Sequence, residues 1–382
     1  MLIIRLIRPL LLVRIEGLMS SRIGHFAANT ELYLCKRDAG INVPNQHYID
    51  LFFMPKPISN QQLASMWKRV LRIWPVWMLQ PINRVNRLVP DGKLHQIGPN
   101  LQSALDVNNL LDRFPAHLHF TAEEEKKGEE GLREMGLPAG AKFVCLIVRD
   151  SSYLDSHFAN DWSYHNFRDS DIQNYVLAAE ELAERGYFVI RMGAKVRGAI
   201  NSAHPRVIDY AVNGMRSDFM DIYLGAKCAF CISTGTGWDA VPEMFRRPIV
   251  YVNMVPLGSL HTFREEFLSI AKRHVLHTSK KTLTLREIFS LGVGLCQSAS
   301  DYEAIGVNLY ENTPEEIRDV AIEMDERLSG TWQAHPDDEL LQKQFWEIFP
   351  ADSLKEADYP YHGEIRARFG AAFLRNNPEW LQ

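Results

Sequence analysis

Short apolar runs alternate with stretches of helical periodicity along most of the chain. The apolar runs predict buried strands, and the amphipathic stretches between them predict helices. This alternation favours an α/β fold with a doubly wound parallel sheet. The predicted strands are 10–15, 49–54, 117–120, 143–148, 187–192, 207–210, 229–233 and 249–253. The predicted helices are 26–37, 121–136, 170–186, 217–226, 238–245, 313–328 and 365–374.

Three of these helices carry a signal at their first turn. Thr121 with Glu124, and Ser170 with Gln173, have the spacing of a capping box, in which each side chain bonds the other residue's backbone. Thr313 is a suitable N-cap. These signals predict where the three helices begin.

The length of 382 residues suggests two domains, at about 150 residues each. The turn-like segment 137–140 follows a highly charged predicted helix, and we expect the domain boundary there. The expected division is an N-terminal acceptor-side domain at 1–137, a donor-binding domain at 138–355 and a terminal segment at 356–382.

The net charge of −5 gives no reason to expect a nucleic-acid partner. The charge is unevenly divided, however. Residues 1–115 hold 14 Lys and Arg against 7 Asp and Glu, whereas the rest of the chain holds 28 against 40. A basic first third joined to an acidic remainder suggests two domains with different partners.

Residues 63–89 interleave tryptophans with Lys and Arg. A helix of this kind can lie in a membrane interface, and a core-facing helix with a basic solvent side is the alternative. No apolar run approaches the ~20 residues of a spanning helix. The five cysteines are scattered, as in the reduced core of a cytosolic protein. We therefore expect a cytoplasmic protein with peripheral contact at the inner membrane face through Trp67, Trp74 and Trp77.

A Ser/Thr/Gly turn directly follows the predicted strand 229–233 and precedes a predicted helix. Its glycines let an anion approach the backbone, and its hydroxyls and free N–H groups can donate hydrogen bonds. A phosphate or diphosphate is the expected ligand, and a tight turn capped by its own hydroxyls is the alternative. A carboxylate six residues later is suited to two ribose hydroxyls or is a solvated helix residue. The candidate donor-binding residues here are Ser233, Thr234, Gly235, Thr236, Gly237, Asp239 and Glu243.

The loop after the first predicted strand is a second candidate. Gly24 permits a sharp turn, and Arg22 with His25 can contact a phosphate. His25 is also a candidate general base, because the pKa of histidine lies near neutrality. A helix cap or spacer is the alternative for a lone histidine at this place.

A third candidate segment follows the predicted strand 143–148. Arg149 lies at the carboxyl end of that strand, where its guanidinium can hold a diphosphate. The long polar loop that follows contains Asp155 and Asp161, which are rival candidates for the catalytic base. Arg191 and Gly193 end the next strand on the same expected edge of the sheet.

Two well-known motifs are not matched. No lysine follows the glycines of the turn 233–237, as a Walker loop requires, and the turn comes too late in its domain for a dehydrogenase fingerprint. Residues 335–339 spell the HPDDE motif of metal-dependent sugar N-deacetylases, but without its preceding apolar strand or following glycines. A helix start with Pro336 in its first turn accounts for that sequence, and we expect no metal site.

The segment 233–253 resembles the donor-binding segment of GT-B glycosyltransferases. The spacing from Gly237 to Glu243 is similar to that in the peptidoglycan enzyme that transfers N-acetylglucosamine to lipid I, which implies that Glu243 holds the nucleotide ribose. The turn at Gly24 is similar to that family's N-terminal glycine-rich loop, with Ser and Arg in place of several glycines.

Most of the chain resembles a glycosyltransferase-like family from bacterial surface-polysaccharide loci. That resemblance implies a GT-B fold, with two Rossmann-like domains whose parallel sheets face a cleft. It also implies that a C-terminal helix, within 365–374, crosses back to the first domain. The resembling segments are 22–34, 149–154, 167–172, 189–193, 311–317 and 373–378.

Together these observations predict a glycosyltransferase that moves a sugar from a nucleotide-diphosphate sugar to a carbohydrate or lipid-linked acceptor. The donor is a substrate, and we expect neither a cofactor nor a metal requirement, because cationic and N–H groups can stabilise the leaving diphosphate. A nucleotide-sugar 2-epimerase of the same fold and a non-catalytic nucleotide-sugar-binding subunit are the alternatives.

Overall fold

The structure is a computed structural model, and it describes residues 2–101, 103–151, 163–356 and 359–382. Its first part is a small parallel unit. β1 (Leu12–Gly17) and β2 (Tyr48–Phe53) pair in parallel, so their connection must cross over, and α2 (Ile23–Asp38) makes that crossover. The other helices of this part are α1 (Leu2–Leu6), α3 (Gln61–Val70) and α4 (Val76–Asn86).

The second part is built on a seven-stranded sheet whose paired strands are all parallel. Its strands consist largely of buried apolar residues, as expected for strands covered on both faces. After β2 the strands are β3 (Phe143–Ile147), β4 (Phe188–Met192), β5 (Val207–Ile208), β6 (Cys231–Ser233), β7 (Ile249–Met254), β8 (Phe267–Ala271), β9 (Arg273–Leu276), β10 (Val307–Tyr310), β11 (Lys355–Glu356), β12 (Tyr359–Pro360) and β13 (Arg368–Phe369).

The order of the large sheet is β13-β8-β7-β6-β3-β4-β5, and β9 with β10 and β11 with β12 form separate antiparallel pairs. From β3 the chain continues to β4 and β5 on one side and then to β6, β7 and β8 on the other. The point where the direction reverses therefore lies between β3 and β6. In open parallel sheets this is the place where the loops diverge and leave a crevice. The predicted α/β class with a doubly wound parallel sheet is confirmed.

Helices surround the large sheet, and several begin where the sequence predicts. The capping box of Thr121 with Glu124 is present, and Thr313 forms another with Glu316. The predicted capping box of Ser170 with Gln173 is wrong, because Asp171 is the N-cap and its carboxylate accepts from the N–H of Gln173 at 2.9 Å. The hydroxyl of Ser170 accepts a hydrogen bond from Asn253. The helices are α5 (Ala122–Glu134), α6 (Val176–Glu184), α7 (Asp218–Lys227), α8 (Ala240–Met244), α9 (Leu285–Ser290), α10 (Ala299–Ile305), α11 (Pro314–Ser329), α12 (Asp338–Ile348) and α13 (Ala371–Asn376).

The predicted strand 117–120 is wrong, because the structure has no strand there. Side-chain contacts hold this segment instead. His117 hydrogen-bonds to the carboxylate of Glu31, and the ring of Phe120 packs against those of Phe219 and Phe245.

The two parts of the chain pack directly on one another. α2 packs on α8, and α3 packs on α7. Phe26 and Trp67 from the first part and Val241 from the second belong to one hydrophobic cluster. Trp67 is fully buried, and its ring N–H donates to the carbonyl of Phe26 at 3.1 Å. The expected membrane contact of Trp67 is therefore wrong, whereas Trp74 and Trp77 are exposed.

The C-terminal segment differs from the expected crossing helix. The backbone of β13 pairs with β8, so residues 368–369 extend the large sheet, and α13 begins only at Ala371 and packs on α11 and α12. The contact with the first part is made by the preceding loop, where Asn109 donates to the carbonyl of Glu364 at 2.9 Å. Within the described residues, no helix is long and apolar enough to cross a membrane.

Candidate functional site

The loops that follow β3 and β6 meet at the switch point of the large sheet. The backbone N–H of Arg149 donates to the hydroxyl of Thr234 at 2.9 Å. Residues that the sequence singled out in two separate motifs are thus joined by a hydrogen bond. Their position agrees with the general rule that ligands of open parallel sheets bind at the carboxyl ends of strands next to the switch point.

The turn at 233–239 is held from within by Asp239. This buried carboxylate accepts hydrogen bonds from the hydroxyl of Ser233 and the N–H of Thr236, both at 2.7 Å. The N–H of Gly235 donates to Ser233 at 3.1 Å, and Gly235 has a φ of +71°, which favours glycine. Burial raises the pKa of Asp239 to about 6. The alternative interpretation, a turn capped by its own side chains, therefore accounts for two backbone N–H groups, those of Gly235 and Thr236.

One group of the turn keeps unused hydrogen-bonding capacity. The hydroxyl of Thr236 is buried and has no hydrogen-bond partner among the described residues. A buried polar atom without a partner costs about 1–3 kcal/mol, so it is a natural contact for a bound polar ligand. The turn therefore offers a fixed hydroxyl to a ligand. The positive charge that an anionic ligand needs must come from neighbouring residues.

Two partly buried arginines supply positive charge beside the turn. Arg168 donates to the carbonyl of Gly235. Burial and the neighbouring charge of Arg149 lower the pKa of Arg168 to about 10. Burial also lowers the pKa of Arg149, although Asp169 lies 3.4 Å from its Nε and partly offsets this. Two guanidinium groups that repel one another in a buried place favour an anion between them.

The N-terminal loop adds to this positive field. Burial lowers the pKa of His165, and so do the charges of Arg149, Arg168 and Arg22. Arg22 therefore lies close enough to act on the same imidazole as the two arginines of the second part. Both parts of the chain therefore contribute to one cluster of positive charge around a neutral histidine.

The two glycine-containing loops touch at their backbones. A Cβ atom added to Gly24 would lie 2.9 Å from the carbonyl oxygen of Gly237, which is closer than real Cβ contacts allow. A Cβ added to Gly237 would meet nothing nearer than 3.5 Å, the backbone nitrogen of Gly24. Glycine at position 24 is thus required by close packing of the two loops.

We expect Gly24→Ala to lower the free energy of unfolding by about 1–2 kcal/mol. The added methyl group must push the loops apart, although alanine itself favours the helix that begins there. Gly237→Ala is the matched control and should change stability by less than about 0.5 kcal/mol. Urea unfolding of both variants checks this, and equal losses would contradict the backbone contact.

His25 is oriented by the first turns of α2. Its Nδ1 lies 3.3 Å from Oδ1 of Asn29, and the amide nitrogen of Asn29 donates to the carbonyl of Leu101 at 2.8 Å. Because that carbonyl can only accept, Oδ1 of Asn29 faces the imidazole. The proton of a neutral His25 is then on Nδ1, and Nε2 is the basic nitrogen. A neutral His25 in this tautomer can accept a proton at Nε2.

Glu243 lies on α8 and is buried rather than at an open surface. It is 3% exposed, and its Oε1 has no hydrogen-bond partner among the described residues. Burial raises its pKa to about 8, and the charge of Asp239 adds to the effect. The carboxyl is therefore protonated at pH 7. Its expected role in binding ribose stays a prediction, and it requires the buried carboxyl to become accessible.

Glu243→Gln should remove a pH dependence of stability. The folded-state pKa is raised from 4.5 to about 8, so the stability contributed by the buried neutral carboxyl is lost as the pH rises towards 8. Between pH 6 and pH 8 the wild type should lose about 2 kcal/mol relative to the Gln variant. Urea unfolding at several pH values tests this. Parallel curves would contradict the protonated carboxyl, and Glu347→Gln at an exposed position is the control.

The remaining predicted residues are not gathered at the turn. Arg191 is 1% exposed, and its guanidinium lies 3.2 Å from the carboxylate of Asp209, which places it in the core. Gly193 follows β4 with a φ of +157° and packs near Val196. Asp155 and Asp161 lie outside the described residues.

The sequence did not single out a charged network that joins the two parts. Arg246 donates to the buried carboxylate of Glu31 at 2.6 Å and to the carbonyls of Phe114 and Pro115 at 3.0 Å. Burial alone would lower the pKa of His117, but hydrogen bonds to its neighbours, Glu31 among them, raise it to about 10. No sequence motif marks such a network, because its members are far apart in the chain.

Three atoms of this network have the spacing of metal ligands. The ligand atoms of Glu31, Cys35 and His117 lie within 4.8 Å of one another. The guanidinium of Arg246 contacts both Glu31 and Cys35, at 2.6 and 3.5 Å, and His117 is itself positively charged. A metal ion there would have to displace these positive charges, so this arrangement fits an ion-pair network better than a metal centre. Transfer without a metal stays a prediction.

The HPDDE segment begins a helix, as expected. α12 starts at Asp338, whose carboxylate accepts from the N–H of His335 at 2.9 Å and pairs with Arg375. Asp338 is thus used to fix the C-terminal segment.

No family model and no curated protein sequence matches this chain. Similar solved structures include ADP-heptose lipopolysaccharide heptosyltransferase II of E. coli (13% identity, 64% of this chain, 86% of that chain, TM-score 0.38). Another is a family 9 glycosyl transferase from Veillonella parvula (12% identity, 84% of this chain, 97% of that chain, TM-score 0.43). A third is E. coli heptosyltransferase WaaC with ADP-2-deoxy-2-fluoro heptose (11% identity, 68% of this chain, 93% of that chain, TM-score 0.33). By their descriptions, these neighbours are glycosyltransferases. Similarity at this level supplies no residue roles, and the chemistry of the site rests on this chain's own contacts.

Proposed function

We propose that this chain is a glycosyltransferase that uses a nucleoside-diphosphate sugar. The observation that carries the proposal is the meeting of Arg149, Arg168 and the turn at 233–239 beside the switch point of the sheet. Two repelling guanidinium groups and an unpaired threonine hydroxyl form a site for a dense negative charge. A diphosphate has that charge, and planar guanidinium groups bind it in a bidentate manner.

The same contacts would assist departure of the nucleotide. When the bond between the anomeric carbon and the diphosphate breaks, negative charge grows on the leaving oxygen. Arg149 and Arg168 are fixed in a buried site, so they can stabilise this charge without reorganising. This chemistry needs no metal in principle.

His25 is the proposed base for the acceptor hydroxyl. Its Nε2 would take the hydroxyl proton as the oxygen attacks the anomeric carbon, while Nδ1–H stays bonded to Asn29. His25 follows Gly24, which touches the turn at Gly237, so base and diphosphate site adjoin. Asp155 and Asp161 remain rival candidates for this role. The acceptor is proposed to be a carbohydrate or a lipid-linked sugar used in surface-polysaccharide synthesis.

A thermal-shift screen of nucleoside diphosphates tests donor binding. Uridine, guanosine, cytidine, thymidine and adenosine diphosphates are compared at saturating concentration, and at least one should raise the melting temperature. No stabilisation by any of them would contradict the proposal.

Product analysis with the corresponding nucleotide sugar tests the reaction. Transfer to an added saccharide acceptor is the expected result. Release of a free, epimerised sugar without an acceptor would indicate a 2-epimerase, and tight binding without turnover would indicate a non-catalytic subunit. Either of these two results would contradict a transferase.

A further inference from the structure

Residues of α1 and α4 pack into one apolar cluster with the strands of the small sheet. Ile4 and Ile7 of the N-terminal segment pack into this cluster, together with Leu79 of α4 and Val13 and Ile15 of β1. A hydrogen bond from Arg5 to the carbonyl of Pro90 at 2.7 Å further ties α1 to the end of α4. The two helices are therefore one surface with a fixed relative position.

The outer side of this surface is strongly apolar. Leu6 is 78% exposed, Trp77 is 74% exposed and Leu88 is 85% exposed. On α4 the exposed Trp77, Pro81 and Val85 follow the spacing of one helical face, and the exposed Leu88 comes two residues after the helix, while Leu79 and Asn83 face the core. The exposed large apolar residues of this surface, which we call the α1/α4 surface, are Leu2, Ile3, Leu6, Leu10, Trp77, Val85 and Leu88.

Positive charge surrounds these apolar side chains. Arg84 and Arg87 are exposed on or just after α4, and Arg5 and Arg8 flank the apolar residues of α1. Between residues 66 and 95 the only acidic residue is Asp91, against six Lys and Arg. An apolar stripe with a basic rim is complementary to a lipid surface that carries negative headgroups.

We propose that the α1/α4 surface binds an anionic phospholipid bilayer as a peripheral contact. Leu6, Trp77 and Leu88 enter the boundary between headgroups and acyl chains, and the exposed Arg84 pairs with a lipid phosphate. Arg8 and Arg87 form ion pairs with Asp91 and Glu16, so they contribute positive field at the rim. Trp67, one of the three tryptophans expected to contact a membrane, is fully buried and has no part in this contact, whereas α1 does. The proposal is independent of the diphosphate site, which lies elsewhere in the chain.

Co-sedimentation of the full chain with vesicles tests the proposal. Vesicles of phosphatidylethanolamine with phosphatidylglycerol should bind the wild type, and vesicles of phosphatidylcholine alone should bind it more weakly. Trp77→Glu and Leu88→Glu should each weaken the partition by about tenfold or more. Arg84→Glu should weaken it at least about fivefold, because each basic residue near an anionic surface contributes that much.

Leu340→Glu on α12 is the matched control, since Leu340 is also exposed, at 56%, and should leave the partition unchanged. All four positions are exposed, so the variants should fold, and circular dichroism checks that they do. Absence of binding to anionic vesicles would overturn the proposal, and so would equal loss in the control. A dimer that Leu6→Glu dissociates, seen by sedimentation equilibrium without any vesicle binding, would assign the surface to a second copy of the chain instead.

Discussion

Arg246→Ala should lower the free energy of unfolding by about 3 kcal/mol. The guanidinium lies 2.6 Å from the carboxylate of Glu31, which is 1% exposed, so its removal leaves a buried carboxylate with one cation fewer. His117 still pairs with Glu31, and this keeps the loss at the lower end of the usual range for a broken buried ion pair. The carbonyls of Phe114 and Pro115 also lose their donor.

Denaturant unfolding measures this loss, with Arg286→Ala at an exposed position as the control. Arg246→Gly offers a further check. Arg246 has a φ of +62°, which is strained for any residue but glycine, so Gly should be less harmful than Ala by up to about 1 kcal/mol. A loss below 1 kcal/mol in Arg246→Ala would contradict the role of this network in joining the two parts.

Arg168→Ala should weaken the binding of a nucleoside diphosphate by about 30- to 100-fold. This corresponds to about 2–3 kcal/mol for one buried, charge-assisted contact to a phosphate. The effect on the unliganded protein should be much smaller. Removing Arg168 loses its hydrogen bond to Gly235 but also removes its repulsion with Arg149, whose charge already lowers the pKa of Arg168.

The contrast between affinity and stability distinguishes a binding residue from a structural one. Isothermal titration and thermal melting of Arg168→Ala, with Arg286→Ala beside it, provide both readings. A variant that keeps the wild-type affinity would contradict the diphosphate site. A variant that melts far lower and still binds would give Arg168 a purely structural role.

The local elements of the second part could be predicted from the sequence because each carries a short-range signal. Apolar runs mark β3, β4, β6 and β7, and Thr121 and Thr313 mark the starts of α5 and α11. The turn after β6 and Arg149 were identified from strand ends, where parallel sheets place their ligands. Their actual contact, from the N–H of Arg149 to Thr234, depends on strand order, which no local pattern states.

Other features depend on contacts between distant residues. Arg168 is one arginine among several polar residues in a long loop, and only its approach to Gly235 distinguishes it. Arg191 lies at a strand end, where the sequence suggests that it binds the donor. In the structure its guanidinium is buried and pairs with the carboxylate of Asp209. Glu243 has the spacing of a ribose ligand, but it is buried in the folded chain. Tertiary contacts therefore decided which of the predicted groups reach the site.

The structure of the terminal segment also depends on a contact between distant residues. Residues 365–374 have helical periodicity, but the edge of the large sheet accepts Arg368 and Phe369 as a further strand. The backbone hydrogen bonds available at an open sheet edge outweighed the local preference for helix.

The most direct test of the account compares a nucleoside diphosphate with its monophosphate by isothermal titration, in the wild type and in Arg168→Ala. The base is the one that gives the largest thermal shift. In the wild type the diphosphate should bind at least about tenfold more tightly than the monophosphate, and Arg168→Ala should abolish most of that difference. Equal affinity for the two nucleotides in the wild type, or an unchanged preference in the variant, would contradict the claim that Arg149, Arg168 and the turn at 233–239 bind a diphosphate.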